Sequence, residues 1–159
     1  MTNKGMSPPQ IVEKLGLSRK SISPKMVSLG LIIFFALFAL EIMVNLVSSI
    51  TGTAINTNVD LLLGSAPLWF FIFTAIIAPI NEEIFFRGFL VPRIGILVSA
   101  VIFGLLHASY NSTFGVEIIA AVIFGLIAGY VFKKSNSLYP SIIAHILLNT
   151  LAVLAFAVI

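Results

Sequence analysis

Long apolar stretches recur along this chain and are separated by short polar segments. A helix of roughly 20 apolar residues is long enough to cross a bilayer. A helix is suited to this environment because it pairs its own backbone N–H and C=O groups. The pattern predicts an all-α transmembrane bundle of five spans. We expect these spans at residues 27–50, 67–90, 94–107, 115–132 and 141–159. The chain then divides into an N-terminal arm, residues 1–26, and a membrane domain, residues 27–159.

Composition strengthens this interpretation. Of the 159 residues, 59% are hydrophobic and 9% are charged, far from the balance of a water-soluble domain. The cysteine count of 0 excludes disulfides, thiolate metal sites and a cysteine nucleophile. The formal net charge of +3 is not accompanied by a stacking aromatic surface on a soluble module, so nucleic-acid binding is not expected.

The basic residues predict the orientation of the spans. They fall in the arm, around the turn after the second span and in the turn after the fourth, at Lys4, Lys14, Arg19, Lys20, Lys25, Arg87, Arg93, Lys133 and Lys134. The other two loops carry none. By the positive-inside rule the N-terminus lies inside and the C-terminus outside. We expect a multi-pass protein of the bacterial cytoplasmic membrane.

A few ionisable or strongly polar residues lie within the predicted spans, where each needs a partner or a function. The candidates for chemistry are Glu82, Glu83 and Arg87 in the second span, His107 at the end of the third, and His145 and Asn149 in the fifth. Counted at about 1.5 Å per residue from the inner turns, they fall in one broad layer of the bilayer. Glu41 and Glu117 are interpreted as packing residues outside the site.

Helical spacing separates the roles of these side chains. Glu83 and Arg87 are four residues apart on one face and should form a structural ion pair. Glu82 is rotated by about 100° and has no charge partner on its own helix, which suits a general base. His145 and Asn149 are also four apart and could present two donors to a developing oxyanion.

Three motifs in order resemble the CAAX prenyl protease and bacteriocin-processing family of intramembrane proteases. Glu82–Arg87 resembles its EExxxR motif, Phe103–His107 its FxxxH motif and His145–Asn149 its HxxxN motif, within a core of about residues 66–152. The resemblance implies hydrolysis of a peptide bond in a membrane peptide or protein. It implies that Glu82 and His107 activate a water, and that His145 and Asn149 hold the oxyanion.

Other interpretations of the same residues remain open. Glu82, His107 and His145 could instead bind zinc, although no cofactor is expected, because Asn149 is a poor zinc ligand and a good oxyanion donor. The polar network could also serve a non-catalytic scaffold, such as a bacteriocin self-immunity or regulatory protein, or a proton relay in a small transporter. The expected partners are the substrate and the lipid bilayer, and a further membrane protein or a second copy remains an open alternative.

Overall fold

In a computed structural model of the protein, residues 5–52, 66–107 and 116–158 are described. This part of the chain is helical and contains no strand. Its helices are α1 (Pro8–Lys14), α2 (Pro24–Thr51), α3 (Leu68–Ile94), α4 (Ile96–His107), α5 (Val116–Ser135) and α6 (Tyr139–Val158), with a 3-10 turn at Arg19–Ser21. The prediction of an all-α bundle is confirmed.

Helices α2 to α6 correspond to the five predicted spans. By length and composition, Pro24–Thr51, Leu68–Ile94 and Ile118–Ser135 are able to cross a membrane, and Ile96–His107 and Tyr139–Ala155 are shorter apolar helices. The expected end of the second span at residue 90 is wrong, because α3 continues through Pro92 to Ile94. Gly95, at φ +84°, is the residue that breaks it.

Two π-helical segments explain how α3 accommodates its prolines. They are Phe73–Ile77 and Ile84–Leu90, and each lies a residue or two before a proline, Pro79 or Pro92. In an ordinary α-helix the proline ring collides with the carbonyl four residues back, whereas a π turn displaces that carbonyl. Between the two wide turns lies an α-helical segment, Ala78–Glu83, that carries both candidate carboxylates.

Glycines bring the helices of the bundle close together. A Cβ on Gly125 of α5 would lie 2.9 Å from Cα of Ala100 in α4, and one on Gly129 would lie 2.9 Å from Cγ2 of Ile96. Such GxxxG spacing lets two backbones approach in a membrane. Gly30 has the same function between α2 and α6. These contacts fix the positions of α4 and α6, which carry the candidate histidines.

The described part of the N-terminal arm is attached to the bundle. Three hydrogen bonds join it to the turn before α6 and to the first residue of that helix: Leu138 N to Gly16 O at 3.1 Å, Ser137 Oγ to Ser21 O at 3.1 Å, and Tyr139 Oη to Leu17 O at 2.8 Å. The arm thus lies at the end of the bundle where α3 ends and α6 begins. We call this the basic end, because it carries the arm, Arg93, Lys133 and Lys134.

Candidate active site

Glu83 and Arg87 form the centre of the polar cluster. Their side chains are 0% and 1% exposed, and Arg87 Nη1 donates to Glu83 Oε1 over 2.8 Å. This is the ion pair expected from their spacing of four residues. Both charges must be present for the pair to be tolerated in the bundle interior, because either charge alone would be buried without compensation.

Two aromatic rings enclose the Arg87 guanidinium. Its Cζ lies 4.4 Å from the ring centroid of Phe103 and 4.8 Å from that of Phe124. The same rings contact the imidazole of His145, with centroids 5.8 and 4.9 Å away. Cation–π contacts of this kind are strongest where water is excluded. Phe103 and Phe124 therefore fix the cation and the histidine together.

His145 lies between the two carboxylates of α3. Its Nδ1 is 2.9 Å from Glu83 Oε1, and its Nε2 is 3.7 Å from Glu82 Oε2. Glu83, ionised beside Arg87, can only accept hydrogen bonds, so Nδ1 of His145 carries a proton and donates it. In the neutral ring the Nε2 atom then has a lone pair directed at Glu82.

His107 is held in the same tautomer by a different partner. Its Nδ1 is 2.8 Å from the backbone oxygen of Phe103, which can only accept, so Nδ1 again donates. Its Nε2 lies 4.0 Å from Glu82 Oε2. The last turn of α4 thus directs a second imidazole lone pair toward the carboxylate.

Glu82 completes a triangle of three acceptor atoms. Its Oε2 and the two Nε2 atoms of His107 and His145 all lie within 4.8 Å of one another. Oε2 has no hydrogen-bond partner among the described residues. The side chains of Glu82 and His107 are each 34% exposed, whereas His145 is 5% exposed. Glu82 Oε2 itself is buried, so the triangle lies beneath the partly exposed Glu82 and His107 side chains, where it can bind a water molecule or a cation.

Asn149 is positioned by an irregularity of α3. Its Nδ2 donates to the backbone oxygen of Thr74 over 3.0 Å. In the π turn Ala78 N donates to Phe73 O, five residues back. The next residue, Pro79, has no N–H to give to Thr74 O in that register. Asn149 supplies the missing donor, and its second amide hydrogen remains for other partners.

The structure therefore groups the residues that the sequence predicted. Glu82 approaches both His107 and His145, Glu83 contacts His145 and Arg87, and Asn149 is joined to α3 through Thr74. Sequence reasoning missed two of their partners, Thr74 and Phe124. Pro79 was the signal for Thr74, since a proline within a span leaves a carbonyl unpaired. Phe124 stands beside Gly125 in a span rich in small residues, which is a weaker signal.

A comparison with protein families provides independent evidence. A family model described as type II CAAX prenyl endopeptidase Rce1-like matches residues 64–151. The chain belongs to this Rce1-like family. No curated protein and no solved structure matches the chain. The matched segment contains all six candidate residues and the π turns between which the glutamates lie. The resemblance inferred from the three motifs is confirmed.

Membership of the Rce1-like family supports a CAAX-type intramembrane protease. The apolar helices agree with a protein embedded in a membrane.

Proposed function

We propose that the chain is an active intramembrane peptidase, in which Glu82 and His107 activate a water for attack on a peptide carbonyl. The observation that carries this proposal is the triangle of Glu82 Oε2 and the two imidazole Nε2 atoms. A water oxygen placed slightly out of its plane can lie at a hydrogen-bond length of about 2.8 Å from each corner.

Charge balance assigns different tasks to the two histidines. The cluster contains two carboxylates, Glu82 and Glu83, and one guanidinium, that of Arg87, so one further proton makes it neutral. The proposal places that proton on His145, which lies between both carboxylates. Its Nε2 then becomes a donor, whereas Glu82 and His107 remain acceptors for the two protons of the water.

In the proposed reaction, Glu82 takes a proton from the water as its oxygen bonds to the carbonyl carbon. The carbonyl π electrons move to oxygen, and the oxyanion is stabilised by His145 Nε2–H and the second amide hydrogen of Asn149. When the C–N bond breaks, the proton held by Glu82 passes to the leaving nitrogen. A carboxylic acid and an amine are released, and Glu82 returns to its starting state.

Zinc is a second candidate occupant of the triangle. Both imidazoles have Nδ1–H anchored, one on a carboxylate and one on a backbone carbonyl, as is typical of zinc-bound histidines. The spread of up to 4.8 Å exceeds the roughly 3.3 Å between ligands of tetrahedral zinc, so the side chains would have to move closer. Bound zinc would lower the pKa of a coordinated water.

The test compares membrane peptides from cells that express wild type, Glu82→Gln or Glu41→Gln, at equal protein levels. Glu41→Gln makes the same change at an exposed position of α2, outside the site. Wild type and Glu41→Gln should produce equal amounts of cleaved peptide. In Glu82→Gln the amount should be lower by more than about 10²-fold, because the base is removed.

The outcomes separate the candidate functions. Unchanged peptides with Glu82→Gln would refute the mechanism. A biological effect that Glu82→Gln retains, without any cleaved peptide from wild type, would favour the scaffold. For purified protein, loss of cleavage with a strong chelator and recovery with zinc would move the mechanism to the metal-dependent form.

A further inference from the structure

A groove at the basic end of the bundle lies apart from the candidate active site. It has a volume of about 370 Å³ and lies between α1 and the last turns of α3. A Cβ on Gly88, which lines it, would come 2.9 Å from Leu15 Cδ2, so the Leu15 side chain at the end of α1 packs directly on α3. With the arm hydrogen-bonded to the bundle, the groove is a fixed part of the fold.

The groove combines apolar walls with two cations. Its walls are formed by Ile11, Leu15, Phe89 and Pro92, and its basic side chains are Lys14 and Arg93. No carboxylate lines it, and in the described part of the chain neither cation forms an ion pair. Two uncompensated positive charges beside apolar surface attract an anion that has an apolar portion.

Arg93 is already oriented for such a ligand. Its Nη1 donates to Phe89 O, and its Cζ lies 3.7 Å from the centroid of the Phe89 ring. These contacts fix the guanidinium plane and leave its other N–H groups available. A planar guanidinium held in this way can bind a phosphate through two parallel hydrogen bonds, while Lys14 contributes a second positive charge.

An apolar track leads away from the groove along the outside of α3. The rings of Phe89 and Phe85 stack with centroids 5.8 Å apart and an interplanar angle of 10°. Both side chains are exposed, at 43% and 49%. In a membrane-spanning helix this surface faces acyl chains, so it continues the groove in the direction that a lipid tail would follow.

We propose that this groove binds the phosphate headgroup of an anionic phospholipid between Lys14 and Arg93, with an acyl chain along Phe89 and Phe85. A free phosphate would use the cations and leave the stacked rings without a function. The bound lipid would join the N-terminal arm to the end of α3, the helix that carries Glu82.

The test measures binding of defined lipids to the purified full chain in detergent. Phosphatidylglycerol is the probe, and phosphatidylcholine and glycerol phosphate distinguish a charged lipid from a neutral lipid and from a free phosphate. We expect phosphatidylglycerol to raise the melting midpoint by several degrees and to give a bound lipid in native mass spectrometry. The other two probes should give little change.

Matched variants locate the site. Lys14→Ala with Arg93→Ala should weaken phosphatidylglycerol binding by about 25-fold, at about fivefold for each charge. Lys133→Ala with Lys134→Ala removes the same charge from the basic end outside the groove and should leave binding unchanged. If the double groove variant does not fold, Lys14→Gln at an exposed position should still give the fivefold loss.

Equal loss in both double variants would show only a diffuse attraction to the basic end and would overturn the proposal. The proposal would also be overturned if glycerol phosphate bound with the same affinity as phosphatidylglycerol. Wild-type binding of phosphatidylglycerol by both Lys14→Gln and the double variant Lys14→Ala with Arg93→Ala would have the same meaning. Displacement of the lipid by an acidic peptide of higher affinity would assign the groove to a protein partner instead.

Discussion

Replacing Arg87 with alanine removes a cation from between two aromatic rings and leaves the Glu83 carboxylate buried without its partner. Glu83 is 0% exposed, and after the change it keeps the donors His145 and Ser141 but no charged partner from its own helix. Removing one member of a buried ion pair costs about 3–5 kcal/mol. The lost contacts with Phe103 and Phe124 and the space left between their rings act in the same direction.

The measurement is thermal and denaturant unfolding in detergent without added lipid, together with the amount of folded protein in the membrane. Arg87→Ala should lower both strongly. The double variant Glu83→Gln with Arg87→Met removes both charges and retains an acceptor for His145. It should therefore be more stable than Glu83→Gln alone or Arg87→Met alone. Arg93→Ala is the control, since it removes an exposed arginine from the same helix and should change stability little.

The reasoning would be refuted if Arg87→Ala unfolded like wild type. Unchanged stability combined with complete loss of cleavage would place Arg87 in the chemistry rather than in the support of Glu83. Additive effects of the two substitutions in the double variant would likewise contradict a direct pairing.

Two further predictions concern the site and the orientation of the chain. Asn149→Ala should reduce turnover by about 10²–10³-fold, as loss of one oxyanion donor does. It should also lower the melting midpoint, because Thr74 O loses its donor. An unchanged rate of peptide release would exclude Asn149 from the oxyanion site. Reporters fused at Asn58 and after Ile159, two positions outside the described residues, should both report the outside. A cytoplasmic signal from either would contradict the five-span topology.

The features that sequence predicted correctly depend on one helix at a time. The Glu83–Arg87 pair follows from a spacing of four residues on a single face, and the separation of Glu82 follows from the same geometry. Similarly, the apolar stretches indicated the five helices because length and hydropathy are local properties. The predicted end of the second span is four residues short, because Pro92 is tolerated after a π turn and α3 continues to Ile94.

Features that depend on how helices are rotated against one another could not be predicted. Spacing placed His145 and Asn149 on one stripe, but it did not indicate that His145 Nδ1 bonds Glu83 or that Asn149 bonds the Thr74 backbone. The enclosure of Arg87 by Phe124 likewise depends on how α5 packs in the bundle. The arm's attachment depends on Gly16, whose left-handed φ of +70° brings its carbonyl to Leu138 N.

The carbonyl of Thr74 has a consequence for biogenesis. It belongs to the second span, and the side chain that satisfies it belongs to α6, the last helix described. While the chain is being inserted, α3 enters the bilayer with this oxygen unpaired and with Glu83 lacking the donor from His145. Both are satisfied only when α6 packs against α3. A partly synthesised chain therefore lacks the complete polar cluster, which assembles only after the last described helix has been inserted.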